Sequence, residues 1–267
     1  THVVLNATGC SCGLDWNTIF KSYWEVSHVT VSGTFSVAGM FIAGNNRIYD
    51  CRATGGSGSS KGFRDGGNYN DLVFCVGATC PTNGFNIIGV GGRLMFCSCF
   101  SNTQDGMYLG NTVQVIDSTI YDNGYSGILL AGSGAIVSNC VINHNTRHGI
   151  SITTGANNRV IGNRITNNSV GSSTYYGINC DAADRRSFED YNVFYNNSNN
   201  ANPGTQHRLN IDVSSDSADA ASDAEVGYTA TATTFALDAA AIRRRVPATL
   251  SDGNVVYITA GLTPAAA

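Results

Sequence analysis

Gly127-Ile128-Leu129-Leu130 returns 22 residues later as Gly149-Ile150-Ser151-Ile152 (149 − 127 = 22), and this recurrence decides the fold. Successive glycines of this kind are 23, 22, 22, 21, 22 and 28 residues apart by subtraction. A nearly constant period in the low twenties indicates a solenoid, in which each repeat buries its apolar face against its neighbours. The steps are Gly39-Met40, Gly62-Phe63, Gly84-Phe85, Gly106-Met107, Gly127-Ile128, Gly149-Ile150 and Gly177-Ile178.

A second pattern recurs with the glycine steps. It consists of an apolar residue, then a small or apolar residue three positions later, then an apolar residue two positions after that. Eight triplets share one register: Val26/Val29/Val31, Ile48/Cys51/Ala53, Leu72/Cys75/Gly77, Leu94/Cys97/Cys99, Val115/Ser118/Ile120, Val137/Cys140/Ile142, Val160/Asn163/Ile165 and Phe188/Tyr191/Val193. An asparagine usually follows the triplet at a turn: Asn102, Asn123, Asn145, Asn168 and Asn196.

Two solenoid classes have apolar residues at this spacing, and composition separates them. The leucine-rich repeat also places an asparagine after its apolar positions, but it needs many leucines and usually a helical return segment. Here the apolar positions hold Val, Ile, Cys and Phe, and the segments between them are rich in Gly, Asn, Ser and Thr. These residues favour strands and turns over helices. The sequence therefore predicts an all-β, single-stranded parallel β-helix of about eight coils.

The predicted stacking of coils indicates where each side chain of the repeat lies. Residues two apart after the glycine, such as Ile128 and Leu130, are expected to point inward. The glycine is expected to allow a sharp turn, and the recurrent asparagines to form a hydrogen-bonded ladder. The cysteines of the triplets are expected to form a buried ladder of small thiols; they are Cys51, Cys75, Cys97 and Cys140.

The repeats resemble the right-handed parallel β-helix proteins with pectate-lyase-like repeats. Three features carry the resemblance, which covers roughly residues 20–212: the stretch from Tyr23 to Gly33, the Gly-Ile-x-Ile segments and the asparagine turns. The resemblance implies a right-handed helix. It implies no single function, because the family includes lyases, hydrolases, epimerases and non-enzymatic phage proteins.

Composition and chain organisation restrict the remaining possibilities. We expect residues 1–22 to form a β cap or incomplete coil, residues 23–212 the β-helix, and residues 213–267 a linker with a capping or oligomerisation segment. The net charge is −4 and only 13% of the 267 residues are charged, so no basic surface for nucleic acid is expected. No apolar run is long enough to span a membrane. We expect neither a metal nor a cofactor.

Polysaccharide-cleaving members of the resembled family place acids on an exposed sheet face. The outward positions after each glycine here contain no carboxylate pair; they are Phe41, Arg64, Asn86, Tyr108, Leu129, Ser151 and Asn179. The catalytic candidates are Asp181, Asp212, Arg185 and His148, and the competing interpretation is that they are solvated turn charges. Tyr108, Tyr125, Tyr175 and Tyr176 are candidates for stacking against sugars or contacting another subunit. The longer turn from Ser169 to Tyr176 is a candidate binding excursion.

Two functions remain open on these residues. The first is a non-enzymatic virion protein of a bacteriophage, of the capsid-decoration or spike kind, which contacts other virion proteins or a surface glycan. We expect such a protein to be a homotrimer and to be located in the virion or outside the cell. The second is a polysaccharide lyase or glycoside hydrolase with its site on the C-terminal coils.

Overall fold

The computed structural model describes residues 3–15, 23–169, 174–180 and 187–199, and the backbone of six further strands between Gln206 and Ile258. All elements in these residues are β-strands, numbered β1 to β31 along the chain. Most of them belong to three parallel sheets, A, B and C, each of which takes one strand from every coil. This is the right-handed parallel β-helix that the sequence predicts.

Sheet A runs the length of the stack and contains twelve strands. Its first nine strands are β1 Val3–Asn6, β4 Val29–Gly33, β7 Arg52–Gly55, β10 Val76–Ala78, β13 Ser98–Phe100, β16 Thr119–Tyr121, β19 Val141–Asn143, β22 Arg164–Thr166 and β25 Val193–Tyr195. The sheet continues with β27 Ile211–Asp212, β28 Tyr228–Thr231 and β29 Thr234–Leu237, of which the last two pair antiparallel.

Sheet B contains the glycine steps, and its eight strands are separated by seven complete turns of the chain. They are β2 Cys12–Asp15, β5 Ala38–Ile42, β8 Lys61–Asp65, β11 Phe85–Ile87, β14 Met107–Leu109, β17 Ile128–Leu130, β20 Ile150–Ile152 and β23 Ile178–Cys180.

Sheet C closes each coil and contains nine strands. They are β3 Glu25–Ser27, β6 Arg47–Tyr49, β9 Asp71–Val73, β12 Arg93–Met95, β15 Gln114–Ile116, β18 Ile136–Ser138, β21 Arg159–Ile161, β24 Phe188–Asp190 and β26 Gln206–His207. A separate antiparallel pair is formed by β30 Val246–Thr249 and β31 Val255–Ile258.

The core is a set of stacked columns, because strands pair in register from coil to coil. In sheet B, Ile128 pairs with Ile150 and Leu130 with Ile152, and all four are buried as predicted. The columns of Phe63 and Phe85 stack their rings at 4.8 Å, the spacing expected between adjacent strands. Burial of these columns is the main favourable term for the fold.

Two corner ladders confirm the predicted turn chemistry. The cysteines of the triplets are buried at the corner between sheets C and A, where their thiols contact strand carbonyls. Burial raises the pKa of Cys51 and Cys140 to about 12, so these thiols stay protonated. At the corner between sheets A and B, each asparagine side chain bonds the next one along Asn102, Asn123, Asn145 and Asn168.

The last predicted triplet is wrong by one residue. Sheet C pairs Val160 with Glu189, and sheet A pairs Ile165 with Phe194, so the inward positions are Glu189 and Phe194. The ladder accordingly ends at Asn197, whose side chain accepts from Asn168 at 3.0 Å, and not at Asn196. Phe188 and Val193, which are adjacent to these positions, also fit the apolar spacing. The sequence pattern therefore did not predict that Glu189 is buried.

The sequence suggests that the glycine steps allow sharp turns, but the structure shows that they allow close approach between coils. Gly127 does not have a positive φ; instead, a Cβ there would lie 2.7 Å from the carbonyl oxygen of Gly149 on the next coil. The positive φ angles fall on corner residues such as Phe74, Asp122 and His144. Glycine is therefore needed for the close approach of successive coils, and the corners supply the turns.

Candidate functional site

The corner between sheets A and B carries a column of side chains two residues before each glycine step. In three successive coils these residues are Tyr125, Arg147 and Tyr175. Backbone hydrogen bonds set the first two in register, since Tyr125 N–H donates to the Gln104 carbonyl and Arg147 N–H donates to the Tyr125 carbonyl. The repeat therefore brings residues that lie 22 and 28 positions apart in the chain (147 − 125 and 175 − 147) onto one line.

Arg147 lies between two aromatic rings on this line. Its guanidinium carbon is 3.7 Å from the centre of the Tyr125 ring and 5.7 Å from the centre of the Tyr175 ring. Both distances are within the range of cation–π attraction. The Tyr125 side is open to solvent, as this residue is 37% exposed. The two rings thus contact the faces of the guanidinium group. Its five N–H donors point outward in the plane of the group, as hydrogen-bond donors do in any arginine.

His148 occupies the neighbouring column and joins the same group. Its Nδ1 accepts a hydrogen bond from the Tyr176 backbone N–H at 3.0 Å, so the neutral ring carries its proton on Nε2. The ring meets Tyr175 edge-on at 5.1 Å and stacks on Tyr176 at 6.0 Å. We call Tyr125, Arg147, His148, Tyr175 and Tyr176 the tyrosine–arginine cluster.

A buried carboxyl group lies two coils before His148 in the same column. Asp105 is 9% exposed, and its Oδ1 accepts from the Ser126 backbone N–H at 3.0 Å. Burial raises the pKa of Asp105, while the Ser126 hydrogen bonds and the charge of Arg147 oppose that rise. A buried acid with a raised pKa near a cation is the kind of environment that catalytic acids also have.

The tyrosine–arginine cluster contains four of the residues singled out in the sequence: His148, Tyr125, Tyr175 and Tyr176. Tyr175 and Tyr176 reach it from the end of the long interval before Gly177. Tyr108 lies apart on the outer face of sheet B, where its strand neighbours are Asn86 and Leu129. Asp181 and Arg185 lie outside the described residues, and Asp212 belongs to β27, which is described by its backbone alone.

Sequence reasoning did not select Arg147 or Asp105 for this site. A signal was available, because Tyr125, Arg147 and Tyr175 all stand two residues before a glycine step, whereas Asp105, His148 and Tyr176 stand one residue before it. Reading both positions down the stack places the cation between the two tyrosines. In the described part of the chain, no group of three or more His, Cys, Asp or Glu side chains is arranged to hold a metal ion.

Comparisons with known proteins support the class of fold. Residues 107–219 match the family model described as a right handed beta helix region. No curated protein matches this chain. The structure and this match agree on the class of fold, a parallel β-helix.

Solved structures share the fold at low sequence identity. The A-module of mannuronan C-5 epimerase AlgE4 from Azotobacter vinelandii is 14% identical, with a TM-score of 0.55 over 72% of this chain and 70% of that module. The enzymatically active domain of tailspike protein 2 from bacteriophage CBA120 is 10% identical, with a TM-score of 0.50 over 79% of this chain and 42% of that domain. The Agl-KA catalytic domain is 14% identical, with a TM-score of 0.51 over 73% and 42% of the two chains.

Proposed function

We propose that this chain is a non-enzymatic structural β-helix of a virion, and that it recognises a surface glycan through the tyrosine–arginine cluster. The observation that carries the proposal is the guanidinium of Arg147 held between Tyr125 and Tyr175. The tailspike similarity supports a role at the surface of a bacteriophage, because that protein's name places it in a phage tail.

The cluster has the two kinds of group that a sugar needs. Aromatic faces accept the C–H face of a pyranose ring and exclude water from it. Guanidinium N–H groups donate to hydroxyls and, in a bidentate manner, to carboxylates. Because Tyr125 and Tyr175 fix the plane of Arg147, little side-chain entropy is lost when a ligand binds. The cluster therefore favours a glycan, neutral or acidic, over an apolar ligand.

Two further parts of the proposal concern location and assembly. We place the protein in the virion or outside the cell, and the support is that one similar structure is by its title a bacteriophage tailspike protein. No helix among the described residues is long and apolar enough to cross a membrane. The homotrimer expected from the sequence is an alternative to the dimer proposed below, light scattering distinguishes the two, and glycan recognition by the cluster requires neither.

The test is a glycan-array screen followed by titration calorimetry with the best ligand. Arg147→Ala and Tyr175→Ala should each weaken binding by at least about tenfold, since each removes a hot-spot side chain. Arg164→Ala is the matched control, because Arg164 is exposed on sheet A, on another face of the solenoid. The recovered glycan should be intact after incubation. Equal binding by the Arg147 variant and the wild type would refute the site.

A second candidate is a polysaccharide lyase or glycoside hydrolase, favoured by one observation. Asp105 combines burial, a raised pKa and the nearby charge of Arg147, which suits a general acid. The epimerase module, the catalytic domain and the enzymatically active tailspike domain among the similar structures are all enzymes by name. Incubation with acidic and neutral polysaccharides would release new chain ends if this candidate is right, and Asp105→Asn should abolish the release. No turnover by the wild type across the panel would exclude it.

A further inference from the structure

The corner between sheets C and A carries an exposed aromatic ridge, which lies away from the tyrosine–arginine cluster. Phe74 and Phe96 occupy the same position on adjacent coils, are 45% and 48% exposed, and stack their rings at 5.0 Å. Tyr49 meets Phe74 edge-on at 5.6 Å. The strand neighbours Met95 and Ile116 extend the apolar surface onto sheet C. We call Tyr49, Phe74, Met95, Phe96 and Ile116 the aromatic ridge.

Local structure does not explain why phenylalanine occupies this position. Both residues have left-handed backbone angles, with φ of 56° for Phe74 and 55° for Phe96. Bulky side chains rarely adopt that region, whereas Asn and Asp do so readily. The two following coils place Asp117 and Asn139 at the same position, also with positive φ. The two rings therefore cost backbone energy, and because they stack on each other they expose one continuous apolar surface, which marks an interaction site.

We propose that the aromatic ridge is the contact surface for a second copy of this chain, packed antiparallel across a two-fold axis. The axis passes between the coils of Phe74 and Phe96, so that Phe74 of one copy meets Phe96 of the other. This inference is independent of the proposed function. The Tyr49 hydroxyl is the one strong hydrogen-bonding group among the five side chains of the ridge, so the ridge suits a protein partner better than a glycan, because sugars require several polar contacts.

Charges beside the ridge determine the orientation. On the outer face of sheet C, Arg93 makes two hydrogen bonds to Asp71 on the neighbouring coil, at 2.7 and 2.6 Å. Asp71 and Arg93 lie on the same two coils as the phenylalanines. An antiparallel copy reverses the order of the coils, and so it places Arg93 opposite Asp71 and forms a network of alternating charges. A two-fold axis parallel to the stack would place the Asp71 and Arg93 pairs of the two copies on opposite sides of the ridge, where they could not meet and would add no favourable contact. An isologous two-fold contact is therefore self-complementary here.

The first experiment measures the mass of the protein in solution. Its substitutions introduce asparagine, the residue that occupies the same turn position at Asn139. Light scattering after size exclusion should give twice the mass of one chain for the wild type. Phe74→Asn with Phe96→Asn should weaken association by roughly 100-fold and leave the melting temperature unchanged or higher. The control is Tyr191→Asn, since Tyr191 has the same turn position near the other end of the stack, with φ of 54° and 59% exposure. That variant should remain a dimer.

Three results of this experiment would overturn the proposal: a monomeric wild type, a trimer, or a double variant that associates like the wild type. A loss of association in the Tyr191 control would do the same. None of these results bears on glycan binding, which is measured separately with Arg147→Ala.

The second experiment determines the orientation by exchanging the two charges. The double variant Asp71→Arg with Arg93→Asp keeps the pair within each chain and should form its own dimers. Mixed with differently tagged wild-type chains, it should form no mixed dimers, because an antiparallel contact would then place like charges opposite each other. In a parallel two-fold contact these charges would not meet, so mixed dimers would form as readily as dimers of one kind, and their recovery by sequential affinity capture would overturn the antiparallel arrangement.

Discussion

A carboxyl group occupies a core position of sheet B at Asp65. In register, it lies between Ile42 and Ile87 and is fully buried. Its Oδ1 accepts from the Gly67 N–H at 2.8 Å and from the Asn70 side chain at 2.7 Å. These bonds favour the carboxylate, but burial dominates and raises the pKa of Asp65 to about 7. The side chain therefore holds its proton up to nearly neutral pH.

We expect Asp65 to make the fold less stable as the pH rises. Below the ordinary pKa of 3.8, both the folded and the unfolded chain hold the proton. Between 3.8 and about 7 only the unfolded chain releases it, so the free energy of unfolding falls by about 4 kcal/mol, at 1.36 kcal/mol per unit. Asp65→Asn should remove this fall, and urea unfolding at pH 4 and pH 8 measures it.

The control for this prediction is Asp117→Asn, because Asp117 is exposed at a turn where the next coil has Asn139. This variant should keep the wild-type pH dependence. If Asp65→Asn lost as much stability as the wild type between pH 4 and pH 8, the buried carboxyl group would not be its cause.

At the scale of one element, the asparagine ladder holds the corner between sheets A and B. Asn123 is buried; its Oδ1 accepts from the Asn102 side chain and its Nδ2 donates to Asn145, both at 2.9 Å. The Asn102 backbone N–H also donates to the same oxygen at 3.2 Å. Each rung thus satisfies polar groups that belong to its two neighbours, which makes the ladder cooperative.

We expect Asn123→Ala to destabilise the fold by about 3 kcal/mol, since it leaves buried donors and acceptors on both neighbours without partners. Thr119→Ala, an exposed change on the same coil, should cost little. Chemical denaturation of both variants checks the prediction. Similar losses in the two variants would show that the ladder contributes no more than a surface residue.

The strands and ladders could be predicted from sequence periodicity because every coil buries side chains at the same positions of the repeat. This periodicity alone predicts the inward positions, the cysteine ladder and most of the asparagine ladder. Asp65 and Glu189 could not be predicted in this way, because each places an acid where the pattern requires an apolar residue. Their tolerance depends on hydrogen bonds and packing that only the folded coils provide.

The candidate site was predictable only in part, for a related reason. Single tyrosines and His148 could be selected by residue type. The Arg147 stack depends on which side chains share a column, and that requires the exact phase of each coil. The predicted phase of the last coil was wrong by one residue, since the ladder ends at Asn197 and not at the predicted Asn196. Apolar residues at neighbouring positions fit the pattern equally well.

At the scale of the molecule, the described coils form a one-dimensional stack in which each coil pairs with its neighbours. In such a stack, one complete coil should be removable without changing the others. Residues 107–127 form such a unit of 21 residues (127 − 107 + 1), and their removal joins Gly106 to Ile128. The new neighbours are compatible in every sheet, since Leu94 would meet Val137, and Asn102 would meet Asn145.

We expect the chain lacking residues 107–127 to fold, with a far-ultraviolet circular dichroism spectrum of the same shape and a lower denaturant m-value in proportion to its smaller surface. Removing residues 107–117, half of the same coil, should prevent folding, because every later side chain would then be out of phase. The complete deletion removes Tyr125 from the tyrosine–arginine cluster and Ile116 from the edge of the aromatic ridge, but it leaves Phe74 and Phe96. It should therefore weaken glycan binding and preserve the dimer. A complete deletion that behaved like the half deletion would mean that the coils are not interchangeable and that stability depends on contacts beyond nearest neighbours.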